Sequence, residues 1–596
     1  MSATPQVILD DARTGRATVF EHPSGIFSAR EPSEVPATLA AMQRSIDTGH
    51  YLAGYFSYEL GYLLEPHLAA LLQRQRALPL LWFGQFDAPP LQLDGNAALE
   101  LWPDTRVYAT PLSYEWDRAA YRTRFAAVQR AIRAGDTYEV NLSLRARFQL
   151  TGSARAWYGR LRQQAGARWG AFIDDGEREV LSLSPELFFT IDPDGGVTMQ
   201  PMKGTAPRGP DAASDAALRE ALHSDAKNRA ENLMIVDLIR NDLGRIAATG
   251  SVKAPALFQI ESYPTLHQMT STVCATLRPH TTVANLLRAL YPCGSVTGAP
   301  KIRAMQLIRE LETSPRGAYC GAIGMFAPDG SARCNVAIRT LTLHAGVGEL
   351  GIGGAVVSDS RADDEYAECQ LKARFYAQAR CPLALLETLP YVRGTWPRRD
   401  RHVQRMQRSA RALGIPFDVA QAERALDAAV AADAARDRRV RLVLQEDGCV
   451  QVDLQPLPQA ASRLRYIISP ARIRSDDPLN QHKTDWRERF TQALAGAHAR
   501  GADEAILLNE REEVVEGTYT NVFVERAGQL YTPPLASGAL PGCLRAELLA
   551  EGRCSEATLT AADLARADRV LLGNSLRGLL AASALDAGDT LPRARA

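Results

Sequence analysis

The sequence carries no excess of charge of either sign: 68 lysines and arginines are matched by 68 aspartates and glutamates. Without a long-range field the chain has little to gather nucleic acid or an anionic membrane surface. It lacks apolar runs long enough to span a bilayer. Residues 1–11 show neither the basic nor the apolar segment of a secretory signal. Cysteine is sparse, nine residues in all, odd in number and never spaced C-x-x-C. Such a set predicts reduced thiols in a cytoplasm rather than a disulfide framework or a zinc site. There is no internal repeat. What remains is an ordinary globular composition, 46% hydrophobic and 23% charged.

A chain of 596 residues exceeds what one core usually supports, so several domains are expected. Residues 1–110 alternate short strand-like runs, such as Leu80-Leu81-Trp82-Phe83, with turn clusters such as Asp87-Ala88-Pro89-Pro90. Residues 111–380 mix strand-like and helix-like segments without a repeated βαβ pattern, which predicts an α+β fold. The helical pattern stops near Cys381-Pro382, and a third block, 383–596, has strands and helices of its own. Within it, the Ala/Asp/Arg-rich stretch 422–439 reads as a surface helix.

In the first half, Glu365, Glu368 and Lys372 fall at i, i+3 and i+7 and share one face of a helix. Two carboxylates and an ammonium on one stripe could hold a divalent cation beside an anionic substrate, although spacing alone favours a solvated face with a weak ion pair. Residues 228–243 are apolar enough for a buried helix yet carry Glu231, Asp237, Arg240 and Asp242. Buried charges of this kind need partners or a metal, and carboxylates with substrate oxygens are the usual Mg²⁺ environment.

An ordered set of motifs spans about 260 residues here. It runs from Tyr138-Glu139-Val140-Asn141-Leu142-Ser143 and Ser184-Pro185-Glu186 through Pro201-Met202-Lys203-Gly204-Thr205. It continues with His267, Gly294-Ser295-Val296-Thr297-Gly298-Ala299-Pro300-Lys301, Arg316-Gly317-Ala318-Tyr319 and Ala337-Ile338-Arg339-Thr340. This half resembles the chorismate-utilising enzymes. The resemblance implies that Glu231 and Glu368 bind Mg²⁺, with Glu365 near the metal, and that Thr297, Tyr319, Arg339, Gly353, Gly354 and Lys372 surround chorismate. It implies Glu186 as general acid, and gives His267 either a proton-handling or orienting role or that of a core histidine. Lys203 stands where anthranilate-forming members have alanine and aminodeoxychorismate-forming members have a nucleophilic lysine. To attack, it needs its pKa lowered. Glu139 departs from the usual glutamine and reads as neutral to the assignment. No Gly-x-Cys-x-Gly glutaminase turn is present, so ammonia is expected from a separate amidotransferase subunit.

In the second half, His482-Lys483-Thr484 precedes a buried-strand pattern at Asp503-Glu504-Ala505-Ile506-Leu507-Leu508-Asn509 and the run from Val515-Glu516 to Thr520-Asn521. An isolated lysine is ordinarily a surface residue. A cofactor lysine instead needs a carboxylate for a ring nitrogen, which Glu516 offers, and a phosphate cradle. Backbone N–H groups of Gly542, Cys543 and Leu544 and the side chains of Asn574 and Ser575 suit the cradle. With Glu387-Thr388, Arg401-His402 and Asn574-Ser575-Leu576-Arg577-Gly578, this half resembles the fold-type IV pyridoxal-phosphate enzymes, α+β like the first. The resemblance adds Thr520 and Asn521 to the cofactor set and implies a homodimer. The two resemblances together imply 4-amino-4-deoxychorismate formation from chorismate, then loss of pyruvate to give 4-aminobenzoate for folate. The alternative is an anthranilate-forming half joined to an aminotransferase, against which Lys203 speaks.

Overall fold

The protein is described by a computed structural model covering residues 4–263, 266–431, 436–459 and 462–585. It divides into two compact units, Met1–Arg380 and Cys381–Ala596. No described helix is long and apolar enough to cross a membrane.

The first unit is built on two large antiparallel sheets. In one, Glu139–Thr151 lies between Gly298–Ala299 and Val347–Val356, and the sheet continues through Thr340–His344, Glu179–Ser184 and Trp169–Asp174 to Gln6–Asp11, Arg16–Glu21 and Leu91–Asp94. In the other, Met202–Pro207 starts a path through Leu266–Thr276, Gly196–Gln200, Leu187–Ile191, Ala332–Val336 and Ala322–Phe326 to Tyr51–Phe56, Leu81–Phe86 and Gly25–Ala29. Residues 1–110 therefore do not form a separate block. They supply the last three strands on each of these paths, joined by the pairings Ile8↔Phe172 and Gly324↔Gly54. The fold class is α+β, and one apolar cluster takes residues from both sheets, among them Leu142, Leu181, Phe83 and Val273.

The strand Glu139–Thr151 shows how this core creates a site. Alternation sends Val140, Leu142, Leu144 and Ala146 into the cluster. The opposite face then carries Glu139, Asn141, Ser143 and Arg145, all buried. Burying such groups is costly unless each finds a partner. Glu139 finds Lys203, Ser143 finds Tyr319, and Arg145 finds the Pro315 carbonyl, while the neighbouring Arg316 ties the strand to the next turn. Its guanidinium grips both oxygens of Glu312 at 2.6 and 3.0 Å and donates to the carbonyls of Val296 and Asn141 at 2.8 and 2.6 Å. Its backbone N–H and that of Gly317 donate to Glu59. The clamp fixes the Gly294–Val296 turn against the strand. Arg316→Ala strands the buried Glu312 carboxylate, and denaturant unfolding should show a loss of about 3–5 kcal/mol.

The second unit has a three-stranded antiparallel sheet, Leu385–Tyr391, Arg438–Leu444 and Val450–Pro456, and an eight-stranded mixed sheet. In the latter, Arg463–Ile473 pairs in parallel with both Glu504–Asn509 and Gly578–Ala584. The surface helix expected over 422–439 is seen as Val419–Ala431. Residues 432–435 lie outside the described residues, and Arg438 and Arg439 open a strand.

Candidate active sites

In the first unit, a cavity of about 350 Å³ is lined by Lys203, Glu186, Ser295, Glu231, Glu365, Glu368, Tyr319, Arg339, Gly353, Gly354 and Lys372. Lys203 reaches it because the Met202–Pro207 strand shifts register between Met202 and Thr205. Gly204 sits at that shift with φ +89°, and a Cβ there would meet Asn228 at 2.9 Å. The Lys203 Nζ lies 2.6 Å from Glu139 Oε1. Burial pulls the ammonium's pKa down, but Glu139, Glu231 and Glu186 outweigh it and hold Lys203 above the ordinary lysine value. The lowered pKa expected from the sequence is thus overturned. The resting lysine is charged, and Glu139, read as neutral, is its direct partner.

Glu186 is buried, and burial drives its carboxyl up to about 7 against the lowering effect of Ser295, whose hydroxyl donates to Oε1 at 2.6 Å. It is suited to hold a proton near neutrality. Arg339 also faces the cavity, and burial pulls its pKa below the usual arginine range. No described side chain pairs with its guanidinium, which leaves it available for a carboxylate. Lys372 is instead engaged, with Glu368 at 2.8 Å and the Gly353 carbonyl at 3.0 Å. Gly353 is required by its own sheet, since a Cβ would stand 2.2 Å from Ser143 Oγ. A Cβ on Gly354 would point toward Glu365 and Lys372.

Glu231, Glu365 and Glu368 line the same cavity. Burial raises the first two, while Lys372 lowers Glu368. Among the described residues, the one set of three potential ligand atoms within 4.8 Å of one another is Glu387, His402 and Cys543, so the cavity carboxylates do not close round a single point. Their oxygen donors and crowded negative charge nonetheless fit a hard divalent cation. Of the other charges in that helix, Asp237 pairs with Arg240 on the surface and Asp242 with Lys301.

In the second unit, a cavity of about 500 Å³ brings together Lys483, Glu516, Thr520, Asn521, Gly542, Cys543, Leu544, Asn574 and Ser575. Burial and the nearby Arg405 and Arg487 push Lys483 down to about 8, so a neutral amine is accessible. Burial raises Glu516 to about 7. Gly542 caps the Cys543–Ala550 helix, and a Cβ there would lie 1.8 Å from Asn521 Oδ1. The helix N-terminus is thus open at the cavity, as a phosphate requires. Ser575 Oγ is bonded to His402 at 2.8 Å. Thr520 spends its hydroxyl on Glu504 rather than on the cavity, and Asn574 accepts from the N–H groups of Leu576 and Arg577. Arg405, not singled out from the sequence, grips Glu387 with two nitrogens and donates to the Pro541 carbonyl beside the cradle. Burial would raise Glu387, but Arg405 and His402 bring it down to about 2. Its oxygens are committed to the Arg405 guanidinium and the His402 ring, burial holds His402 below the usual histidine value and pushes the Cys543 thiol up to about 11, so these three residues do not read as a metal site.

Residues 4–378 match the chorismate binding enzyme model. The chain belongs to that family. Residues 384–585 match the model of amino-transferase class IV. The chain is similar to an aminodeoxychorismate synthase of Streptomyces griseus, 46% identical over 272 residues, covering 46% of this chain and 38% of that one. It therefore spans well under half of that relative's length. It is also similar to aminodeoxychorismate synthase component 1 of Klebsiella aerogenes, 39% identical over 53% of this chain and 74% of that protein. Among solved structures, anthranilate synthase component I from Streptococcus pneumoniae TIGR4 matches at 25% identity and TM-score 0.52, covering 64% of this chain and 93% of that one.

Two residues expected in the chorismate-binding half turn away from its cavity. His267 does not line it. Its ring nitrogens are held by Ser262 at 2.9 Å and Asp215 at 3.0 Å, and its neighbour Gln268 faces the cavity instead. Adjacent strand residues point to opposite faces, and Gln268 took the inward one. Thr297 gives its hydroxyl to the Cys293 carbonyl at 2.8 Å, and Ser295 presents the hydroxyl of that turn.

Proposed function

We propose that the first unit aminates chorismate at C4 and that the second removes pyruvate from the product to give 4-aminobenzoate. The observation that carries the first step is the placement of the Lys203 amine and the Glu186 carboxyl in one cavity with Arg339. Arg339 and Tyr319 bind and orient the substrate carboxylates. Lys203 adds to ring carbon C2, and Glu186 gives its proton to the C4 hydroxyl as it leaves. Ammonia then takes C4. Glu231, Glu365 and Glu368 would hold Mg²⁺, which supplies charge neutralisation and Lewis acidity. Because Glu186 must be protonated, the amination rate at fixed free ammonia should fall about tenfold per pH unit above about pH 7. A rate still rising past pH 8 would remove Glu186 from that role.

In the second unit, Lys483, Glu516 and the Gly542–Leu544 cradle would hold pyridoxal phosphate, an electron sink for a carbanion next to the substrate nitrogen. Glu516 lines the same cavity as Lys483 with a carboxyl near neutrality, suited to a ring nitrogen. Lys483 Nζ is the group placed to take the C4 proton. Besides Arg405, the cavity wall carries Arg439, Arg441, Arg487 and Arg577. That much positive charge suits a substrate with two carboxylates, as aminodeoxychorismate has, better than one with a single carboxylate.

The component 1 relatives favour ammonia delivery by a separate glutamine amidotransferase subunit. Ammonium should then support turnover by the isolated chain and glutamine should not. The reading also includes a cytoplasmic setting, where the free thiols stay reduced, and a homodimer through residues 383–596, which light scattering would register. Chromatography of the products separates this reading from its rival, anthranilate formation joined to transamination.

A further inference from the structure

Glu139 has no part in the scheme above, yet it is the residue nearest the reacting nitrogen. Its side chain is fully buried, Oε1 lies 2.6 Å from Lys203 Nζ, and Oε2 has no hydrogen-bond partner among the described residues. The other charged groups acting on Lys203 are Glu231 from the Ala226–Gly244 helix, Glu186 from the turn after Glu179–Ser184, and Glu368 from the Ala362–Lys372 helix. None of these is hydrogen-bonded to Nζ among the described residues. Water leaving the cavity as substrate enters would disfavour the ion pair relative to a neutral acid and amine.

We propose that Glu139 is the proton acceptor that frees the Lys203 amine for attack and returns the proton when that amine leaves the ring. This rests on the amination reading. One Nζ proton passes to Glu139 Oε1, and the Nζ lone pair forms the bond to C2. The ring electrons shift, the C4–O bond breaks, and the hydroxyl departs as water with the proton of Glu186. Ammonia forms the C4–N bond and gives its surplus proton to Glu186. The electrons shift back, the C2–Nζ bond breaks, and Glu139 returns its proton to Nζ. The sum is chorismate and ammonia to aminodeoxychorismate and water.

Glu139→Gln keeps the size and the acceptor oxygen but cannot take the proton, so Lys203 must lose it to solvent. The readout is the ratio of variant to wild-type amination rate across about pH 6.5 to 8 at saturating chorismate and fixed free ammonia, which cancels the titration of Glu186. The ratio should be about 0.01 at the acid end and climb about tenfold per pH unit. Glu139→Asp, which keeps a base, should give a flat ratio. A flat ratio for Glu139→Gln, or a rate equal to wild type, overturns the proposal and leaves the amination reading intact. A wild type that makes no aminated product overturns the reading itself. Acetic anhydride labelling of Lys203, followed by peptide mass spectrometry, needs no turnover. In the wild type, Lys203 should titrate above exposed lysines, and in Glu139→Gln below its wild-type position. An unchanged profile overturns the pairing. Should Glu139→Gln fail to fold, wild-type Lys203 titrating with or below exposed lysines does so.

Discussion

Lys203→Ala should lower the amination rate by at least about 1,000-fold, because it removes a covalent nucleophile rather than a binding contact. The structure shows why alanine alone is an incomplete test. It leaves Glu139 buried beside an empty volume, and an unpaired buried carboxylate either destabilises the fold or takes up a proton. Lys203→Gln is the matched control. Its amide donates to Glu139 Oε1, preserves the packing and cannot attack. Both variants should lose amination, and Lys203→Gln should unfold closer to wild type than Lys203→Ala does. Rates within about tenfold of wild type in Lys203→Gln would end the nucleophile assignment.

Lys483→Ala should abolish pyruvate release and leave amination untouched, since every residue of the first cavity belongs to Met1–Arg380 and every residue of the second to Cys381–Ala596. The reaction should then accumulate the aminated intermediate. The visible absorbance of protein-bound cofactor should also disappear, because the lysine held near pKa 8 is the group placed to bind it covalently. Visible absorbance that survives dialysis in Lys483→Ala would place the cofactor lysine elsewhere. Loss of amination in the same variant would contradict the independence of the two sites.

Much of the lining of both candidate cavities was legible in the sequence. Lys203, Glu231, Arg339, Lys483 and Glu516 lie in local motifs, and the fold delivers each to a cavity. What the sequence hid depends on pairing across distance. The Glu139–Lys203 contact joins residues 64 positions apart, from the two different sheets, through a register shift in the Met202–Pro207 strand. Without that geometry the pKa of Lys203 was expected on the wrong side of its ordinary value. His267 took the core alternative and Thr297 lies off the cavity for a more local reason. In each case the adjacent or near-adjacent residue, Gln268 or Ser295, took the inward direction. The strict alternation of a strand would have flagged the first, whereas the 3₁₀ turn at Gly294–Val296 has no pattern that predicts the second. Arg405 was within reach. It lies three residues beyond His402 on one helix, so the two were bound to share a face toward Glu387.

The central claim is that one chain carries chorismate to 4-aminobenzoate. Its most direct test is to incubate the purified protein with chorismate, Mg²⁺, pyridoxal phosphate and excess ammonium and to resolve the products by chromatography. The account predicts 4-aminobenzoate and pyruvate in equal amounts, with the aminated intermediate appearing first. Anthranilate as the aromatic product would contradict it.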